Sequence, residues 1–180
     1  MNPIEIIENY YPIDRDVYKI LVAHSRDVAT KALQIASMHP EMNLDLQFVE
    51  EAAMLHDIGI IYTNAPDLDC HGERPYICHG YLGHDLLMKE GFPKHALVCE
   101  RHTGTGLSLQ HIIDSKLPIP HRDMMPLSLE EQLICFADKF YSKTKLGQEK
   151  TQDQIEKSLL RHGEETAARF AAWRKLFLGE

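Results

Sequence analysis

The spacing of apolar residues along most of the chain is that of amphipathic helices. Val17, Leu21 and His24 recur at intervals of three or four, which predicts a helix over about residues 14–38 with His24 on its inward face. Pro40 follows, and proline disfavours helical geometry in the residue before it. The pattern therefore predicts a long first helix that carries a histidine toward the core.

The same period continues downstream. A helix is predicted over about residues 45–57, with Val49 and His56 on one face and Gly59 as its stop. Further helices are predicted over about residues 76–90, 93–102 and 128–145, and a last one over about 151–178.

Local signals support the start of the helix over 128–145. Ser128 and Glu131 have the spacing of a capping box, and Thr151 with Gln154 forms a weaker one. Within the helix that Ser128 begins, Asp138 is in phase with apolar positions. We therefore expect its carboxylate to face the core.

Strand patterns are nearly absent, so the predicted fold class is all-α, a single-domain helical bundle. We expect one domain over residues 1–180, with a core that bears the motifs over about 14–146 and a C-terminal helix. Phe170, Trp173 and Phe177 on that helix could pack in the core or form the face of a homodimer, and we expect the core.

Composition narrows the classes of function. The 180 residues are 44% hydrophobic and carry a formal net charge of −8, which argues against binding a nucleic-acid polymer. No apolar run approaches the ~20 residues that span a membrane, and no secretory signal is visible, so a cytoplasmic location is expected. The four cysteines form no CxxC pair, and we expect buried thiols.

Candidate metal ligands occur in the order H…HD…H…H…D. A carboxylate on a core-facing position is costly unless it is paired or binds a metal, and His24, His56 and Asp138 all project inward from different predicted helices. A shared divalent cation would satisfy them. The proposed first set is His24, His56, Asp57 and Asp138; with Asp57 as a bridge, His79 and His102 would complete a second.

Mixed imidazole and carboxylate ligands suit iron, manganese, zinc or cobalt better than calcium or magnesium. The expected cofactor is therefore one or two divalent transition-metal ions. Two such ions lower the pKa of a bridging water and clamp a phosphoryl oxygen. Asp57 is the proposed catalytic residue, because it would hold and orient the resulting metal-bound hydroxide.

Each residue of this set, taken alone, has a simpler explanation than metal binding. A lone His24 on an apolar face is more often a satisfied core histidine, and the pair His56-Asp57 says little by itself. His84 lies close to His79, and we take His79 as the ligand. Cys70-His71 and Cys78-His79 could imitate a structural zinc site, although their separation is unusual for one. The occurrence of all six candidate ligands in this order is what supports a metal centre.

The set resembles the HD-domain superfamily, in particular the HDIG-type metal-dependent phosphohydrolases. The matching segments are Ala23-His24-Ser25, His56-Asp57-Ile58-Gly59, Cys78-His79-Gly80, Arg101-His102-Thr103 and Ala137-Asp138-Lys139. The resemblance implies an HD-type helical bundle with the metal site in its core and the ligand assignment given above. The motif order is similar to that of bacterial diadenosine tetraphosphate hydrolases, which implies a nucleotide or dinucleotide substrate.

One position departs from the pattern. Many HDIG proteins carry a basic residue after the glycine, placed to meet the substrate phosphate, and this chain has Ile60 there. The proposed substrate-binding residues are therefore Lys139, Arg101 and Thr103, which stand next to metal ligands in the sequence.

These observations lead to one hypothesis and two alternatives. The hypothesis is a phosphohydrolase that cleaves a phosphoester or phosphoanhydride of a small phosphorylated molecule. The first alternative is a mixed-valent di-iron oxygenase, because some superfamily members use the same ligand set. The second is a nucleotide-sensing module without activity, which the complete ligand set argues against.

Overall fold

The computed structural model describes residues 1–179, of which 63% are helical and 4% are in strands, and the prediction of an all-α domain is confirmed. Its helices are α1 (Pro3–Glu8), α2 (Asp16–Met38), α3 (Leu46–Leu55), α4 (His79–Lys89), α5 (Pro93–Arg101), α6 (Leu109–Asp114), α7 (Leu129–Asp138), α8 (Gln152–Leu160) and α9 (Glu164–Leu178).

Short elements occupy the segment between α3 and α4. Strands β1 (Asn64–Ala65) and β2 (Cys70–His71) pair antiparallel. Segments of 3-10 helix lie at Pro40–Met42, Ile58–Tyr62, Pro66–Leu68 and Tyr76–Cys78. No helix within residues 1–179 has both the length and the apolarity that crossing a bilayer requires.

Helices α2, α3, α5 and α7 pack around one core, which α9 covers on the side of α7. Phe136 of α7 contacts Phe170 and Phe177 of α9, with ring centroids 5.0 and 5.5 Å apart. Trp173 is buried and donates its indole N–H to Gln132 at 3.1 Å. The prediction that these aromatic residues belong to the core is confirmed.

Both predicted caps are present in the structure. The Ser128 hydroxyl accepts the backbone N–H of Glu131 at 3.1 Å, but the Glu131 carboxylate accepts the backbone N–H of Leu127 instead of that of Ser128. Thr151 and Gln154 form the complete reciprocal box. Each cap satisfies N–H groups that have no partner inside the first helical turn.

Two predicted helices end earlier than expected. The helix over 128–145 is wrong beyond Asp138, because α7 ends there and Lys150 donates to the carbonyl oxygens of Tyr141 and Lys139, at 2.9 and 3.4 Å. The single helix over 151–178 is also wrong. Gly163 has φ of 126°, a conformation that glycine adopts readily, and it separates α8 from α9.

Gly59 differs from its predicted role as a helix stop. Helix α3 ends at Leu55, and Gly59 lies inside the following 3-10 segment without positive φ. A Cβ atom at Gly59 would overlap the carbonyl oxygen of His79 and the amide nitrogen of Gly83, both on α4. The glycine therefore lets the backbone after α3 approach the start of α4, where His79 lies.

Candidate metal centre

Four histidines and two aspartates from five helical regions meet in the core, each at most 8% exposed. The helices deliver them at their ends or inner faces. His24 lies in α2, His56 and Asp57 follow α3, His79 begins α4, His102 follows α5, and Asp138 ends α7. The structure thus brings together all six residues that the sequence suggested as ligands.

The first group consists of His24, His56, Asp57 and Asp138. His24 Nε2 lies 3.0 Å from Asp138 Oδ1 and 3.3 Å from Asp57 Oδ2. His56 Nε2 lies 3.0 Å from Asp57 Oδ2 and 3.4 Å from Asp138 Oδ1. Two imidazole nitrogens and two carboxylate oxygens therefore face a common point.

The second group shares Asp57 with the first and adds His79 and His102. Asp57 Oδ1 lies 3.5 Å from His79 Nε2 and 3.3 Å from His102 Nε2, and the two Nε2 atoms are 3.1 Å apart. One oxygen of Asp57 faces each group. This is the arrangement that a carboxylate bridging two cations requires.

Backbone carbonyl oxygens orient three of the imidazoles. The Nδ1 atoms of His56, His79 and His102 lie 2.6, 2.7 and 2.7 Å from the carbonyl oxygen of the residue three positions earlier. A carbonyl only accepts, so each Nδ1 carries a proton, and the Nε2 atom of each ring is left to face the cluster. Such a contact to the second nitrogen is usual for metal-binding histidines.

The donor set fits a divalent transition metal. Among residues 1–179, His56 Nε2 and both carboxylate oxygens of Asp57 are buried and have no partner in hydrogen-bond geometry. The facing Nε2 atoms of His79 and His102 are both acceptors in this tautomer, and two lone pairs at 3.1 Å repel unless a cation or a proton lies between them. Buried acceptors that converge without donors in hydrogen-bond geometry are costly, and a cation would satisfy them.

Burial and neighbouring charges shift the pKa values of the cluster residues in different directions. Burial would raise the pKa of Asp57, but the Lys143 ammonium and His56 outweigh it and hold that pKa well below its usual range. Burial opposes protonation of His56, yet Asp57 beside it raises its pKa to about 9. Burial and His102 lower the pKa of His79 to about 3. Asp57 is therefore ionised and His79 neutral at physiological pH.

Two lysines lie against the cluster. Lys139 Nζ is 2.7 Å from Asp138 Oδ2 and donates to the carbonyl oxygen of His102 at 3.2 Å. Lys143 Nζ is 2.5 Å from Asp57 Oδ2, and its side chain is 13% exposed. The sequence indicated Lys139 as a substrate-binding residue but not Lys143. It predicted a continuous helix over 128–145, and nothing in that prediction placed Lys143 next to Asp57. The signal that could have identified Lys143 is its position as a basic residue shortly after Asp138, the last ligand in the chain.

A cavity beside the cluster is lined by His24, Asp138 and Lys143, and the other two proposed substrate-binding residues lie away from it. Arg101 donates through one guanidinium nitrogen to both carboxylate oxygens of the buried Glu131, at 3.1 and 2.9 Å. Thr103 lies near Gly80 of α4. Neither is among the described residues that line the cavity. Their position beside His102 in the sequence therefore does not carry them to its opening.

The remaining histidine and cysteine candidates also lie outside the cluster. His84 Nδ1 pairs with Asp85 at 3.0 Å, so His79 is the histidine of α4 that the cluster contains. All four cysteines are free and buried, as expected. Cys70 and Cys78 donate to the carbonyl oxygens of Leu68 and Pro118, and neither belongs to a group of potential metal ligands in residues 1–179.

The fold and the cluster agree with the relationship found by family comparison. The HD domain family matches residues 21–142, well over half of the chain, and the chain belongs to that family. Members of this superfamily are generally metal-dependent phosphohydrolases. The HD domain and the cluster together indicate a site for a divalent metal.

Curated relatives match the chain over part of their length. An uncharacterized protein of Methanocaldococcus jannaschii is 34% identical over 114 residues, 63% of this chain and 60% of its own length. Two proteins named tRNA (cytidine(56)-2'-O)-methyltransferase are 26% and 28% identical. The Thermoplasma volcanium protein matches over 89% of this chain and 43% of its own length, and the Picrophilus torridus protein over 71% and 33%.

The chain therefore spans between a third and about three-fifths of the length of these relatives. No solved structure is a significant match to it.

Proposed function

We propose that this protein is a metal-dependent phosphohydrolase that cleaves a phosphoester or phosphoanhydride of a small phosphorylated molecule, a nucleotide or a dinucleotide. The observation that carries the proposal is Asp57, a buried carboxylate whose two oxygens face two separate ligand groups. Lys143 pairs with Asp57, and Lys139 pairs with Asp138, which belongs to the first ligand group. Metal cations and lysine ammonium groups together would neutralise the negative charge of a phosphate substrate.

His24, His56, Asp57 and Asp138 would hold one cation, and Asp57, His79 and His102 a second. Two bound cations would supply a nucleophile at neutral pH and charge stabilisation for the phosphoryl oxygens.

The protein's own part is to position the reactants. The carbonyl contacts to Nδ1 fix the ring orientation of His56, His79 and His102. The core around the cluster excludes bulk water, which strengthens every electrostatic interaction inside it. Phosphoryl transfer depends mainly on such positioning and electrostatics.

The names of two relatives raise methyl transfer to tRNA as another possibility. Those names describe proteins of which this chain matches 43% and 33%. The chemistry that this chain presents is the cluster of histidines and aspartates, which is suited to binding cations and phosphate. The formal net charge of −8 also favours a small substrate over a nucleic-acid polymer.

The di-iron oxygenase uses the same kind of ligand set, so the ligands do not separate it from a hydrolase. The two partly buried lysines beside the carboxylates favour a phosphate substrate. Oxygen consumption by the iron-loaded protein, without phosphate release by any metal form, would support the oxygenase instead.

Metal content tests the dinuclear site. The purified protein should hold about two divalent metals per chain, and His79→Ala should hold about one, because His79 belongs only to the second group. His84→Ala is the matched control, since His84 lies on the same helix and pairs with Asp85. Elemental analysis of the three proteins measures the ratio. One metal in all three would leave only the first group as a binding site.

Phosphate release tests the reaction. The metal-loaded protein should hydrolyse members of a panel of nucleotides and dinucleoside polyphosphates, and chelation should stop it until metal is restored. Absence of phosphate release with iron, manganese, zinc and cobalt alike would contradict the proposal.

A further inference from the structure

A cavity of about 420 Å³ opens beside the metal centre, a volume within the usual range for small-ligand sites. His24 and Asp138 lie in its wall, so it reaches the first ligand group. Apolar and aromatic side chains also line the cavity. They are Leu68, Tyr76, Tyr141, Ile155 and Leu159.

Lys143 also lines this cavity, from the segment that follows α7. Its ammonium is 2.5 Å from Asp57 Oδ2 and 5.9 Å from the ring centroid of Tyr76. Within residues 1–179, the carboxylate at ion-pair distance from Lys143 is that of Asp57. A buried ammonium is stable only with an anion beside it, so Lys143 depends on this one partner.

The two lysines differ in which oxygen they contact. Lys139 pairs with Asp138 Oδ2, whereas the ligand histidines face Asp138 Oδ1. Lys139 can therefore keep its partner when the cluster holds a cation. Lys143 pairs with Asp57 Oδ2, the same oxygen that faces His24 and His56. A cation held by that oxygen would compete with the ammonium for it.

The formal charge of the cluster would change when cations bind to it. The cluster holds two carboxylates, and one ammonium group is paired with each of them. Divalent cations bound by the same carboxylates leave positive charge in excess next to the cavity. The displaced ammonium of Lys143 then requires a new anion within reach of its side chain, and the cavity that it lines is the space available.

We propose that Lys143 is the substrate-binding residue that donates to the phosphate in the cavity, with the organic part of the substrate against the wall formed by Tyr76, Leu68 and α8. The proposal rests on the proposed hydrolase function. It assigns the contact that Ile60, which is fully buried in the core, does not make. Lys143 and α8 both lie beyond residues 21–142, so this part of the site is outside the family match.

Phosphate affinity of the metal-loaded protein tests the proposal. Inorganic phosphate, a product of the proposed reaction, is titrated by calorimetry into the full chain loaded with manganese. Lys143→Met should weaken binding by about 10- to 100-fold, the usual loss for one hydrogen bond to a charged group. Lys143→Arg should stay within a few-fold of the wild type, because it keeps the charge and a donor.

Lys145→Met is the matched control, since Lys145 is an exposed lysine on the same segment and does not line the cavity. Its phosphate affinity should equal that of the wild type. Equal affinity of Lys143→Met and wild type, or equal weakening in Lys145→Met, would overturn the proposal. If Lys143→Met does not fold, Lys143→Gln, which removes the charge but keeps a polar side chain, takes its place with the same expected weakening and the same overturning result.

Metal affinity gives a readout that does not depend on turnover. Without an ammonium to displace, Lys143→Met should bind the first manganese ion several-fold more tightly than the wild type, while Lys145→Met should not change. A weaker metal affinity in Lys143→Met would contradict the displacement. Failure of the wild type to release phosphate from any ester would count against the hydrolase function, whereas the two titrations judge Lys143 separately.

Discussion

Replacement of Asp57 by asparagine is expected to remove both metals and to lower phosphate-ester hydrolysis by more than 100-fold. Asp57 is the residue that both ligand groups share, and one of its oxygens faces each group. Loss of even an outer contact to a metal ligand commonly costs about 10- to 100-fold in affinity or activity. Loss of the shared ligand itself should cost more. Elemental analysis and initial rates at saturating metal measure the two effects.

The same substitution changes stability through Lys143. In the metal-free protein it leaves the Lys143 ammonium buried without its carboxylate, and removing one partner of a buried ion pair typically costs ~3–5 kcal/mol. Thermal unfolding without metal should therefore show a clear loss of stability. The double variant Asp57→Asn/Lys143→Met should recover part of it, because the unpaired charge is gone.

A matched control for Asp57→Asn is Asp85→Asn. Asp85 is an exposed carboxylate of α4 that pairs with His84, outside both ligand groups. Metal content, rate and unfolding temperature should all stay near the wild-type values. Hydrolysis that survived in a folded Asp57→Asn protein would contradict the assignment of Asp57 and, with it, the shared site.

The ligands could be located from sequence because helical periodicity fixes which residues face the core. His24 and Asp138 were predicted to point inward from their helices, and both are buried in the cluster. His79 and His102 had no such periodic argument. Their assignment came from their order in the chain and the family resemblance, and the structure brings both to Asp57.

Contacts that depend on a distant part of the chain could not be predicted in this way. Lys143 reaches Asp57 because α7 ends at Asp138, and Lys150 binds the carbonyl oxygens that follow the helix end. The sequence predicted a helix that continues to about residue 145, because residues 139–145 contain no proline or glycine. Arg101 was suggested by its neighbour His102, but Glu131 of α7 holds its guanidinium.

Substitution of Gly59 by alanine is expected to destabilise the fold by about 3 kcal/mol or more, the upper part of the range for overpacking a core. A Cβ atom there would overlap the backbone of His79 and Gly83, and backbone atoms of a packed helix cannot rotate away as a side chain can. Gly83 is itself close to Cys99 of α5, so α4 has no free space behind it. For a chain of this length the change corresponds to roughly 10 °C in unfolding temperature.

Gly147→Ala separates this collision from the general cost of replacing a glycine. Gly147 has φ of 70°, and no heavy atom of residues 1–179 lies within 4 Å of an added Cβ, so only the left-handed backbone should matter, at about 1–2 kcal/mol. Gly59→Ala should lose more stability, and it should also hold less metal, because the displaced atoms belong to the backbone of His79. Equal unfolding temperatures for the two variants would show that the segment after α3 can move away from α4, and the close approach would then not be what positions His79 against Asp57.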